Sequence, residues 1–359
     1  MSIKIGFASD LGVRSAEIID FYKLHWQRKI ALSDQKFHGW QFEMAPNNKG
    51  ANSCVVAVNE TGLLGVMGLN RRNFYFSSNQ LNGAELTTWV VDQRIKGAGA
   101  GAKILNFITD QFDVLFGMGI SQDALPIYIR SGFHYLRYIP RYIHVVDAKK
   151  VLNVSDHAKY ASKLVKDSYY QQVQLHVEKI CWRDQESNPF VEGNHFSRSV
   201  EDLIWRYESH PYFKYVTYKV SNGSNSFGYV VLRKEITDDI RILHVIDILG
   251  SESTFESSIA FVECYAHENR FWAVDAYSTL SKLNKYFNCR SWLSAVDSSF
   301  VNVPHLFHPL EVRSPATTSL IYWCKNPDVN FYDIGNLYVT KQDCDLDRPT
   351  MNYIGVNNE

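Results

Sequence analysis

A seven-residue pattern occurs twice in the chain. Trp40-Gln-Phe-Glu-Met-Ala-Pro46 returns as Trp205-Arg-Tyr-Glu-Ser-His-Pro211, a shared Trp-x-(Phe/Tyr)-Glu-x-x-Pro. Each copy is followed by an apolar strand pattern and then by a second strand carrying a glycine, Gly65 in one case and Gly228 in the other. Strand patterns at residues 240–249 and 271–276 then stand where 86–91 and 114–120 stand in the first half. Repetition on this scale predicts a duplicated domain, and 359 residues suffice for two cores of about 150 residues each. The expected units are residues 1–147 and 173–359, joined by a polar linker at 148–172 whose residues 160–165 form a helix.

The first half alternates its periods. Strands are predicted at 3–8, 54–59 and 63–69, and a hairpin ends in Glu85-Leu-Thr-Thr-Trp-Val-Val91, where β-branched and aromatic residues cluster. Helical spacing marks 15–27 and 102–112, the latter with Ile104, Leu105 and Ile108 on one stripe. A strand at 114–120, a short helix at 124–130 and a strand at 141–146 complete it. The class is therefore α+β, with mixed sheets.

Composition removes several function classes. Hydrophobic residues at 45% and charged residues at 21% exclude a disordered chain. Lys plus Arg (37) balances Asp plus Glu (38), so no global field favours nucleic acid or an anionic membrane. Met1-Ser-Ile-Lys-Ile-Gly6 shows no leader pattern and no stretch reaches 18 apolar residues, so a soluble, cytoplasmic protein without membrane insertion is expected. The six cysteines show no Cys-x-x-Cys spacing and are read as reduced, mostly buried thiols rather than metal ligands.

Chemistry concentrates in Val90-Val-Asp-Gln-Arg-Ile-Lys-Gly-Ala-Gly-Ala-Gly-Ala-Lys-Ile-Leu105. A strand enters a basic turn, then alternating glycine and alanine, then an apolar-faced helix. Residues without bulky side chains let successive N–H groups converge on an anion, and the helix adds its positive dipole end. Arg94 and Lys96, with Gly97, Ala98, Gly99, Ala100, Gly101 and Ala102, thus form a candidate pyrophosphate cradle. A nucleotide-hydrolysing loop is excluded, because Ile104 stands after Lys103 where a magnesium-binding hydroxyl is needed. Gly97-x-Gly99-x-x-Ala102 fits a dinucleotide fingerprint, yet five residues separate it from the strand and no strand-end acid follows at the required distance.

The turn resembles that of the GNAT N-acetyltransferase superfamily, (Arg/Gln)-x-x-Gly-x-(Gly/Ala). It is met as Arg94-x-x-Gly97-x-Gly99 and again, with lysine in the basic place, as Lys96-x-x-Gly99-x-Gly101. Downstream, Ser121-Gln-Asp-Ala-Leu-Pro-Ile-Tyr-Ile-Arg-Ser-Gly-Phe133 is similar to the family's Asn-x-x-Ala-x-x-Leu-Tyr-x-x-x-Gly-Phe; Ala124, Tyr128, Gly132 and Phe133 match and Ser121 replaces Asn. The likeness covers roughly residues 50–146. It implies an N-acyltransferase whose co-substrate is acetyl-CoA or another acyl-CoA, with no metal. The backbone of Trp89, Val90 and Val91 would hold the pantetheine arm, Ser121 would stand near the coenzyme, Tyr128 would be the general acid and Glu85 the base for the acceptor amine.

The second half carries Gly250-Ser-Glu-Ser-Thr-Phe-Glu-Ser257 where the cradle would be, with neither basic residue nor further glycine. It is expected to be a degenerate copy with a structural or acceptor-binding role. The Trp-x-(Phe/Tyr) pattern and Asp345-Leu-Asp-Arg-Pro349 resemble two-domain GNAT-like proteins of bacterial surface polysaccharide synthesis, implying a small-molecule amine acceptor that is an amino sugar, free or nucleotide-linked. Transfer to a peptide or other small amine, and a non-catalytic acyl-CoA-binding module, remain open alternatives. His305-x-x-His308, flanked by prolines, is read as structural. Asp343-x-Asp345-x-Asp347 lacks the glycine and glutamate of a calcium loop and is read as a solvated tail.

Overall fold

The computed structural model describes residues 2–26, 29–77, 79–92, 94, 99–153, 173–223, 226–237, 239–295, 306–307, 310–311, 317–326, 333–344 and 346–357. The expected helix at 160–165, most of the linker, His305, His308 and Asp345 lie outside them.

From the first half come β1 (Lys4–Phe7), α1 (Ser15–His25), α2 (Gln35–Phe42), β2 (Val55–Asn59), β3 (Gly62–Phe76), β4 (Asn79–Val91), α3 (Ala100–Gln111), β5 (Val114–Met118), α4 (Leu125–Arg130), β6 (His134–Leu136) and β7 (Arg141–Val145). After α5 (Ala148–Asn153) follow β8 (His176–Ile180), β9 (Asn194–Phe196), α6 (Val200–Leu203), β10 (Tyr215–Ser221), β11 (Gly228–Thr237) and β12 (Ile240–Leu249). Then come α7 (Glu252–Glu268), β13 (Ala273–Tyr277), α8 (Ser281–Cys289), β14 (Leu293–Ser294), β15 (Leu306–Phe307), β16 (Leu310–Glu311), β17 (Leu320–Cys324), β18 (Leu337–Tyr338) and α9 (Met351–Asn357).

Two sheets repeat one plan. The first runs β1-β2-β3-β4-β5-β17-β6, with β9 added to β3 and β18 to β9; the second runs β8-β10-β11-β12-β13-β7-β14. Within these two runs every pairing is antiparallel except β4 with β5 and β12 with β13, which occupy corresponding places. Within these two runs each sheet takes one strand from the other half of the chain. β7 follows β6 in sequence yet lies between β13 and β14, and β17 follows β14 yet lies between β5 and β6.

The repeated tryptophans meet at the junction. Trp40, in the last turn of α2, stacks on Trp205 at 4.9 Å and 16° between ring planes. Each indole N–H donates to the other's backbone carbonyl, Trp40 Nε1 to Trp205 at 3.1 Å and Trp205 Nε1 to Trp40 at 2.9 Å. A reciprocal pair of this kind satisfies both polar tips while burying both rings.

The segment after β18 does not behave as a tail. Asp343 and Asp347 are 0% and 3% exposed. Asp343 accepts two bonds of 2.9 Å from Arg198, and Asp347 pairs with Arg233 at 2.8 Å. The expectation of solvated acids fails because their partners, from β9–α6 and β11, are more than 100 residues away in sequence. The cysteines also differ from expectation: Cys54 and Cys344 are buried, whereas Cys181 beside the edge strand β8 and Cys289 at the end of α8 are exposed. Among the described residues no helix is long and apolar enough to cross a membrane.

Candidate active site

β4 pairs with β5 only from Gly83–Val114 to Leu86–Gly117. On its other side, Met67 faces Trp89 while Leu69 faces Leu86, so Thr87 and Thr88 oppose the single residue Gly68. This is a β-bulge, and it turns the remainder of β4 away from its neighbour. Gly68 permits it: an added Cβ would lie 2.5 Å from both the Phe42 ring and Thr87 Oγ1. From residue 87 to 91, β4 has no strand partner on the β5 side among the described residues. Its backbone donors and acceptors there form an open edge.

The expected cradle sits beside this edge. Trp89 and Val91 pack with Ile104 and Leu105 of α3, whereas Val90 turns to the cluster that holds α1 and α2. Gly101 lies against the Trp89 ring, where an added Cβ would come within 2.9 Å. Gly99 caps α3 in the left-handed region, φ +74°, with nothing near an added Cβ, so the backbone and not space demands glycine. Among the described residues no side chain caps α3, which leaves its leading N–H groups to an anion. Ala100 is buried and Ala102 exposed. Arg94 is exposed and bound to Asp92, with Nη2–Oδ2 2.7 Å and Nε–Oδ1 3.0 Å. These bonds hold the Asp92 carboxyl down to about 2. Lys96, Gly97 and Ala98 lie outside the described residues. Ser121 is exposed, and its hydroxyl accepts from Ala124 N at 3.3 Å in the turn before α4.

Tyr128, 3% exposed, packs edge-on against Trp89 at 5.3 Å and Phe133 at 5.1 Å. Gly132, φ +83°, ends α4, with Gly132 N bonding Ile129 O and Phe133 N bonding Tyr128 O, both at 3.1 Å. The Gly-Phe pair of the motif is thus a helix stop that anchors Tyr128. Burial pushes the phenol well above its ordinary range. Glu85, 1% exposed, receives Arg72 Nη1 at 2.7 Å and Asn70 Nδ2 at 3.3 Å. Burial chiefly, and then the charge of Asp343, raise its carboxyl, with Arg72 opposing. Ala84 and Leu86 pack in the cluster of Tyr128, so Glu85 takes the other face of β4. The two side chains approach the open edge from opposite faces.

Sequence reasoning missed the surroundings of Glu85. Arg72 Nη1 also reaches Gln342 Oε1 (3.1 Å) and Asp343 Oδ1 (3.4 Å), and its Nη2 bonds the carbonyl of Ser197. Arg198 continues the network to Asp247 at 2.8 Å. Beside Glu85 lies a cavity of about 10 Å³, space for about one water. Four of its lining residues hold buried polar atoms without a partner among the described residues: Gln41 Oε1, Asn70 Oδ1, Arg72 Nε and Gln342 Nε2. Leaving such a group unsatisfied costs about 1–3 kcal/mol. Gln41 and Asn70 are polar at positions within or beside apolar runs, and that is the signal sequence offers; Arg72 and Gln342 stand among polar neighbours.

In the second sheet the same opening is closed. β12 carries a bulge opposite Val231 and Leu232 and leaves β13 after Val245. There the Tyr338 hydroxyl accepts from Ile248 N (3.0 Å) and donates toward Ile248 O (2.6 Å) and Asp247 Oδ1 (2.7 Å). Register places Ile248 where Trp89 stands in the first sheet, and His244 where Glu85 stands. The chain's own C-terminal segment occupies this edge. Gly250 then leads straight into α7 without a basic turn, which makes this copy degenerate.

The fold resembles that of GCN5-related N-acetyltransferases, with two such sheets in tandem. A GCN5-related N-acetyltransferase from Anabaena variabilis matches over 90% of this chain and 73% of its own, with TM-score 0.55 and 12% identity. A conserved protein of unknown function from Enterococcus faecalis, described as a probable N-acyltransferase, matches over 90% and 73%, with TM-score 0.56 and 9% identity. Saccharomyces cerevisiae N-myristoyltransferase with bound myristoyl-CoA matches over 91% and 86%, with TM-score 0.50 and 10% identity. No protein-family model matches the chain and no curated protein matches its sequence. At these identities the likeness is one of fold.

Proposed function

We propose that the protein is an N-acyltransferase that moves an acetyl or related acyl group from acyl-CoA to a primary amine in the cytoplasm, the amine being that of an amino sugar, free or nucleotide-linked. The reading takes residues 1–147 and 173–359 as the two units and residues 85–133 of the first as the working site. The observation that carries it is the open edge of β4 at 87–91 beside an uncapped, glycine-led helix. An extended amide chain ending in a pyrophosphate fits such a pair: its amides extend the sheet and its phosphates meet the helix start. Acyl-CoA, when bound, supplies the activated acyl group.

The chain's own residues supply the rest. A backbone N–H of residues 89–91 polarises the acyl oxygen, and Glu85 takes a proton from the amine on one face of β4. Tyr128 delivers a proton to the departing thiolate from the other face. Because burial raises the phenol above the thiol it would form, the transfer runs uphill and is drawn forward by release of the thiol and recovery of a proton from solvent by the phenolate. Calorimetry with acetyl-CoA on the Gly99→Val chain tests the cradle: binding should be lost, and full affinity overturns it. Tyr128→Phe should lower turnover, read as thiol release with an amine panel, with little loss of acetyl-CoA affinity. Tight binding with no turnover on any amine would make the protein an acyl-CoA-binding module.

A further inference from the structure

The cavity beside Glu85 is more specific than an amine pocket needs to be. Glu85 fixes its two neighbours by hydrogen bonds. Asn70 commits its Nδ2 to Glu85, which leaves Oδ1 as the free end of that amide; Gln342 commits its Oε1 to Arg72, which leaves Nε2. Neither amide is able to flip without breaking the bond that holds it. The lining therefore offers three acceptors, Glu85, Asn70 Oδ1 and Gln41 Oε1, and two donors, Gln342 Nε2 and Arg72 Nε.

A protonated primary amine has three N–H groups and no lone pair, so it answers the acceptors and leaves the donors unanswered. A hydroxyl or carbonyl oxygen has two lone pairs, the complement of the two donors. A single water offers two O–H groups and two lone pairs and answers the four unpartnered atoms, so a ligand that replaces it must bring donors and acceptors together. The donor and acceptor sets adjoin, since Arg72 Nη1 touches both Glu85 and Gln342. The amine and the oxygen must then be neighbours in one molecule.

We propose that this cavity recognises the acceptor as a primary amine whose neighbouring carbon carries an oxygen, the amine held by Glu85, Asn70 and Gln41 and the oxygen by Gln342 and Arg72. The inference rests on Glu85 facing the acceptor, and it narrows the substrate class: an isolated alkyl amine meets only half of the site. Access runs past Arg348, the only half-buried side chain among the lining residues, which bonds Thr88 on the open part of β4 at 3.1 Å. A ligand entering there displaces that arginine and widens the cavity beyond the room it has when empty.

The test is calorimetry of glucosamine, glycinamide and cyclohexylamine on the full chain, with and without CoA, repeated on Gln342→Met. Glucosamine and glycinamide should each bind at least tenfold more tightly than cyclohexylamine. Gln342→Met should bring the three within about twofold while CoA affinity stays unchanged, which also shows that the variant is folded. A preference for glucosamine assigns the oxygen to a sugar hydroxyl, and a preference for glycinamide to a carbonyl. Equal affinity for all three amines, or discrimination that survives Gln342→Met, overturns the proposal and leaves the cavity to a water. Failure of the acyl-CoA reading is read separately, as absence of CoA binding by the unaltered chain.

Discussion

Glu85 combines two properties that pull against each other: full burial and a 2.7 Å ion pair with Arg72. Breaking a buried pair of this kind is costly, which keeps the carboxylate in one place. Burial and Asp343 nevertheless set its titration above the ordinary carboxylate value near 4.3. A base must be ionised to work, so kcat/KM should rise with pH through a group above that value and stay level beyond it. Glu85→Gln should lower kcat by about 10²–10⁴-fold and abolish that acidic limb, with acetyl-CoA affinity intact. A variant with full kcat would make Glu85 a structural member of the network. The sequence pattern puts Glu85 at the head of its strand, whereas β4 begins at Asn79 and Glu85 lies in its middle. The network behind it was not legible, because Ser197, Gln342 and Asp343, which accept from its partner Arg72, come from the other half of the chain.

Among the elements, β3 shows where local pattern misleads. The apolar run at 63–69 predicts a short strand, but the strand extends to Phe76 through Asn70, Arg71, Arg72 and Asn73. Asn70 and Arg72 are buried where Glu85 and the C-terminal segment accept hydrogen bonds from them, a condition that periodicity alone does not carry. The helix α3, by contrast, is fixed by local chemistry and stands within two residues of expectation. The bulge opposite Gly68 joins the two. Gly68→Ala forces a Cβ into the Phe42 ring and Thr87, so it should cost about 1–3 kcal/mol in urea unfolding and weaken acetyl-CoA binding as β4 straightens. Gly65→Ala meets Ile104 at a milder 3.2 Å and should do markedly less on both measurements. Equal effects would mean that the bulge does not shape the open edge.

At the scale of the molecule, duplication was legible and the exchange of strands was not. β7 reads as the last strand of its own half, and nothing local distinguishes a strand that stays from one that crosses. Crossing ties the halves into one cooperative body, and it carries His144 on β7 into the second sheet. Buried histidines are spread across that body: His38 on α2, His144 on β7, His210 within the repeated motif and His244 on β12. Burial is the leading cause in each case and lowers His38 to about 4, His144 to about 3 and His244 to about 4, with His210 also well below the ordinary value. Below pH 6.5 the unfolded chain takes up protons at these sites while the folded chain does not. Each histidine therefore removes about 1.4 kcal/mol of stability per pH unit until its folded value is reached. The urea midpoint should be level above pH 7 and fall steadily from pH 6.5 toward 4, in one transition and not two, because the sites lie on both sides of the exchanged strands. A midpoint unchanged between pH 7 and 5 would show that these imidazoles gain protons in place, and two separate transitions would show that the halves unfold independently.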